Sequence, residues 1–176
     1  MKLRKTNAVF SLLATMLIFG HAISIGIWML SQGRTHRMPH SVSFVLLLVF
    51  VIHAVLSIIL MATSHKGAPK NKGNIYPKLN APTLVQRISG VLLIIFTWLH
   101  IAGAIGIMQP PKAVHAIVPP LFFTLVMAHV AISVSKAFIT LGIGNAKFVK
   151  RADIAIKLVC AVVLVADIVG FYLFVC

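Results

Sequence analysis

Residues 84–103 read Leu84-Val-Gln-Arg-Ile-Ser-Gly-Val-Leu-Leu-Ile-Ile-Phe-Thr-Trp-Leu-His-Ile-Ala-Gly103. A polar head, Gln86-Arg87-x-Ser89-Gly90, leads into about three turns of apolar helix, and the helix delivers one histidine, His100, deep into apolar surroundings. An ionisable ring on a lipid-spanning helix is costly, so it needs a partner. Three other apolar runs carry a histidine in the same kind of place: His21, His53 and His129.

The rest of the chain fits a membrane setting. Of 176 residues, 60% are hydrophobic and only 10% are charged, a composition outside the soluble range. Five apolar runs, near Val9–Leu30, Val42–Thr63, Leu84–Met108, Ala116–Leu141 and Ile154–Val175, each approach or exceed the roughly 20 residues that cross a bilayer core. These features predict an all-α integral membrane bundle of five transmembrane helices, a single domain over residues 1–176. Pro82-Thr83 marks the start of the third helix, Pro110-Pro111 stops it, and Gly142 and Gly144 end the fourth. The basic start followed by an apolar run resembles a signal peptide. The run is longer than a signal core and lacks a small-x-small cleavage site, so it reads as the first spanning helix.

The net charge of +14 sorts by side. Lys2, Arg4, Lys5, Lys66, Lys70, Lys72, Lys78, Arg87, Lys147, Lys150, Arg151 and Lys157 fall at one end of the expected bundle, against Arg34, Arg37 and Lys112 at the other, a ratio of 12 to 3. The positive-inside rule then places the N-terminus in the cytoplasm, as expected of a multi-pass protein of the inner (cytoplasmic) membrane. No soluble domain remains to bind nucleic acid. The basic face suits membrane lipids and an acidic cytoplasmic partner. Cys160 and Cys176 have no metal-ligand spacing.

Depth gives the four helix histidines an order. At a rise of ~1.5 Å per residue, His21 and His100 lie roughly 18–24 Å from the cytoplasmic boundary, and His53 and His129 roughly 15–18 Å. That makes an outer pair and an inner pair. A bis-histidine pair across two helices is a common way for a bundle to hold a b-type haem, which predicts two such haems with these four residues as axial iron ligands. Gly20, Ala54, Gly103 and Ala128 offer small neighbours for a flat porphyrin. Arg87 and Lys136 are placed to neutralise the propionates of the inner haem, with Arg34, Arg37 or His36 for the outer one. Other readings of the same residues are independent packing histidines, a zinc or copper site, or a haem-free transporter or channel that relays protons.

Gln86-Arg87-Ile88-Ser89-Gly90, followed by Trp98-x-His100, resembles the membrane-anchor cytochrome b subunit of succinate dehydrogenases and fumarate reductases, most closely the five-helix, dihaem, single-subunit anchors that work with menaquinone. Helix count, histidines and topology extend the likeness over nearly the whole chain. The resemblance implies that His21 and His100 hold the distal haem and His53 and His129 the proximal one. It also implies a flavoprotein subunit and an iron–sulfur subunit on the cytoplasmic face, with electrons exchanged with a membrane quinone. A dihaem cytochrome b of another oxidoreductase, such as a hydrogenase, shares these features. Some dihaem relatives carry a glutamate where this chain has Met127, and the chain contains no glutamate. Proton exchange at a quinone then falls to other groups, and Asp167, His36 and His40 are the candidates.

Overall fold

Each apolar run forms one uninterrupted helix, which pairs backbone N–H and C=O groups within the segment itself. The computed structural model describes residues 2–35, 39–64, 81–108 and 111–175. In chain order the helices are α1 (Lys2–Leu30), α2 (His40–Ser64), α3 (Ala81–Ala104), α4 (Lys112–Leu141) and α5 (Ala146–Val175). All five are long and apolar enough to cross a membrane.

The ends differ from expectation in places with local causes. α1 starts at Lys2 rather than near Val9, and α5 at Ala146 rather than Ile154, so both run past the apolar core into their basic segments. α3 stops at Ala104, four residues short of Met108. There Gly106 takes a left-handed φ of 77°, and the Met108 amide folds back onto the Ala102 carbonyl at 3.1 Å. Gly142, at φ 73°, ends α4 in the same way. His40 belongs to α2 as its first residue rather than to a loop.

Pro119 and Pro120 lie in the third turn of α4 without breaking it. Pro120 has no N–H to give the Ala116 carbonyl. That oxygen instead accepts the Tyr172 hydroxyl of α5 at 3.3 Å, and the Pro120 carbonyl accepts Thr124 Oγ1 at 2.8 Å.

Packing is uneven. α1, α4 and α5 pack on one another and hold the apolar core, in which Met127, Val130 and Val134 of α4 meet Cys160 and Val163 of α5, with Leu12, Phe19 and Ala22 of α1 beside them. Met127 thus serves this core. α2 packs substantially on α1 and α3 on α4, while α1–α3, α2–α3 and α2–α4 make at most marginal contact among the described residues.

α1 and α5 cross closely at glycines. A Cβ on Gly170 would sit 3.3 Å from Met29 and Leu30, and one on Gly26 would sit 2.6 Å from Asp167 Oδ1. Asp167 is 3% exposed, and its Oδ1 has no hydrogen-bond partner. Replacing Gly26 with alanine therefore overpacks this crossing and should cost about 1–3 kcal/mol. Thermal unfolding in detergent measures the loss, and combining the change with Asp167→Ala should remove most of it. Equal losses in both backgrounds would show that the carboxylate is not the obstacle.

Candidate functional site

The four helix histidines lie one on each of α1, α2, α3 and α4. His21 (α1) and His100 (α3) are close enough to interact electrostatically, and so are His53 (α2) and His129 (α4). Each pair joins two helices that do not pack substantially on one another.

Cross-helix contacts fix the levels. Ser57 of α2 donates to Asn7 Oδ1 of α1 at 3.3 Å, which puts those residues at one height. From there His21 is fourteen residues farther along α1, about 21 Å, and His53 is four residues farther along α2, about 6 Å. The difference is about 15 Å. On the other two helices Ser89 touches His129 at 2.9 Å, and His100 lies eleven residues beyond Ser89, about 16 Å at the same rise. Two independent contacts thus give the same separation, several times larger than guessed helix ends suggested. His53 and His129 form the tier nearer the Lys2 end, and His21 and His100 the far tier.

The rings differ in their surroundings. His21 Nδ1 and His53 Nδ1 are buried without a hydrogen-bond partner. The backbone of Asn7 lies near enough to act on the His53 ring, although Nδ1 itself has no partner. A purely structural histidine would be satisfied by a neighbouring carbonyl or hydroxyl, so these two fit the packing role poorly. His129 Nδ1 meets Ser89 Oγ, and a Cβ at Gly90 would stand 3.3 Å from the His129 Cε1 atom. His100 stacks on Phe122 with ring centroids 5.2 Å apart, and Phe122 stacks in turn on Phe96.

The near tier opens toward a polar cluster. Lys136 Nζ donates to Gln86 Oε1 at 2.7 Å and to Thr83 Oγ1 at 3.1 Å, and Gln86 Nε2 donates to Ser133 Oγ at 3.0 Å. Arg87, half-buried, is near enough to act on Lys136 electrostatically. Both carboxylates of the chain are elsewhere. Asp153 is held by Lys157 and by Ser135 at 2.6 Å, and Asp167 lies at the far end of the α1–α5 crossing. Two adjacent cations, with Lys136 bonded to neutral oxygens, make an anion-favouring position.

Sequence reasoning named Arg87 and Lys136 but missed Gln86, Ser89 and Gly90 as members of the site, although all three stand in the Gln-Arg-x-Ser-Gly head. Gly103, expected to make room beside His100, has no neighbour within 4 Å of a Cβ, and Ala128 is exposed. Gly90 is the glycine at a ring. His40 is exposed at the start of α2, and Arg34 is exposed in the turn after α1. His36 and Arg37 lie outside the described residues. Among the described residues no three His, Cys, Asp or Glu side chains converge, so the histidines stand as pairs.

The donor set fits a b haem at each tier: two nearby imidazoles on helices that do not pack substantially on one another, one unpartnered Nδ1 in each pair, and cations at the end of the bundle nearer the His53–His129 pair. No family model, curated protein or solved structure matches the chain.

Gln86 is the hub of the cluster. Gln86→Ala strips Lys136 and Ser133 of a partner at once and should cost about 1–3 kcal/mol in detergent unfolding. In that background Lys136→Met should cost less than it does alone, a coupling of about 0.5–3 kcal/mol. Additive losses would mean that the Lys136–Gln86 bond carries no weight.

Proposed function

We propose that this chain is the dihaem cytochrome b membrane anchor of a succinate:quinone or quinol:fumarate oxidoreductase, with two b-type haems held by His53–His129 and His21–His100. One observation carries the reading: histidines paired between helices that do not pack substantially on one another, at two levels about 15 Å apart at a rise of ~1.5 Å per residue. Bound haems supply a one-electron relay between a cytoplasmic iron–sulfur partner and membrane quinone.

The chain's own residues do the rest. The apolar helices exclude water, and His21, His53, His100 and His129 are the residues that would hold the haem iron in a medium that penalises an unligated ring. Arg87 and Lys136 would neutralise the acidic groups of the haem at the Lys2 end. The N-terminus is cytoplasmic and the protein is multi-pass in the inner membrane, a reading supported by the crowding of Lys2, Arg4, Lys5, Lys147, Lys150, Arg151 and Lys157 at one end. That basic end suits acidic surfaces of the iron–sulfur and flavoprotein subunits, which carry out the dicarboxylate chemistry. On the far side the quinone, probed first as menaquinone, exchanges protons with the chain. Asp167, buried with an unpartnered oxygen, can hold a proton there, and His40 lies at the same end.

Purified protein should give a dithionite-reduced-minus-oxidised spectrum with a b-type α band and about two haems per chain. A spectrum without that band, with pyridine haemochrome negative, leaves the haem-free transporter as the reading.

His100→Leu should lower the haem content from two to one per chain and remove only the far-tier component of a redox titration. Retention of both haems would show that His100 is not a ligand.

A further inference from the structure

We infer that Ser89 is a positioning residue for His129, fixing the ring in its Nδ1–H form with Nε2 as the free lone pair and thereby strengthening it as an electron donor. This rests on the haem reading above.

Ser89 is 3% exposed, and its hydroxyl has one hydrogen and two neighbours. One is the Gln86 carbonyl oxygen at 3.2 Å, which can only accept, and the other is His129 Nδ1 at 2.9 Å. With the hydrogen given to the carbonyl, Ser89 Oγ accepts from Nδ1–H, and both contacts become hydrogen bonds. The other tautomer takes the serine hydrogen and leaves the carbonyl contact idle. A buried network settles where more of its contacts are satisfied.

The arrangement is held on both sides. Gln86, whose backbone oxygen receives Ser89, is tied through its side chain to Lys136 and Ser133 of α4, which fixes the level of α3 against the helix that carries His129. Gly90 leaves room for the ring edge, since a Cβ there would approach Cε1 to 3.3 Å. His21 and His53 have no partner at Nδ1. The near tier therefore pairs an imidazole whose Nδ1 is bonded with one whose Nδ1 is not. A hydrogen bond accepted from Nδ1–H increases electron donation through Nε2 and favours the ferric state, as second-shell acceptors do for metal-bound histidines.

The test uses the full-length protein in detergent and a spectroscopic redox titration of wild type, Ser89→Ala and Ser89→Thr. Ser89→Ala should keep two haems per chain and raise the near-tier potential. The oxidised-to-reduced ratio at a given potential should fall about three- to tenfold, about 28–59 mV at 59 mV per tenfold for one electron. The far-tier potential should not move, and Ser89→Thr, which keeps the hydroxyl, should restore the wild-type value. Unchanged potentials in Ser89→Ala, or a threonine variant that behaves like alanine, would overturn the assignment. Should Ser89→Ala lose the near-tier haem, Ser89→Thr must regain it, and failure to do so overturns the assignment as well. A wild type without haem would overturn the underlying reading and this inference together, whereas a dihaem wild type with an unresponsive Ser89→Ala overturns the inference alone.

Discussion

Four imidazoles held among apolar helices set the terms for this bundle. Each ring brings two nitrogens into a place where water is scarce, and an unmatched polar atom there is costly. A chain that wanted only helix packing could have used leucine at each position. Instead α1 and α4 pack on each other and on α5, while the pairs that carry facing histidines stay apart. The core is accordingly off-centre, built by Met127, Val130, Val134, Cys160 and Val163 on the α5 side. The histidine side of the same helices is governed by polar constraints.

Those constraints grade along the bundle. At the Lys2 end, Lys136, Gln86, Thr83 and Ser133 form a bonded cluster that ties α3 to α4. One turn farther, Ser89 reaches His129. At the far tier the neighbours of His100 are aromatic, with Phe122 stacked against it and Phe96 beyond. Two histidine pairs thus sit in different surroundings, polar at the Lys2 end and aromatic at the other.

Much of this was legible in the sequence. Length and hydropathy set the five helices, because a backbone in hydrocarbon has no alternative to helix. The ordering of the histidines into tiers followed from counting residues. The spacing did not, because helix ends read from hydropathy ignore the basic turns that extend α1 and α5 and the left-handed Gly106 that shortens α3. Only cross-helix contacts such as Asn7–Ser57 set one helix's level against another's. Small neighbours were sought beside each histidine along its own helix, whereas the glycine that matters, Gly90, belongs to the helix opposite. Sequence adjacency and spatial adjacency part company wherever a site is built between helices.

Electrostatics adds a last step. The chain has two acids, and neither reaches the cations of the near tier: Asp153 is taken by Lys157 and Ser135, and Asp167 lies at the far α1–α5 crossing. Arg87 and Lys136 are therefore left near one another, with Lys136 bonded to the neutral oxygens of Gln86 and Thr83. Such a pair is unfavourable alone in a half-buried position, and it becomes favourable once an anion bridges it. Gln86 holds Lys136 in place meanwhile without neutralising it. A glutamate at that position would satisfy the lysine outright, whereas the amide at residue 86 holds Lys136 and leaves its charge uncompensated among the described residues.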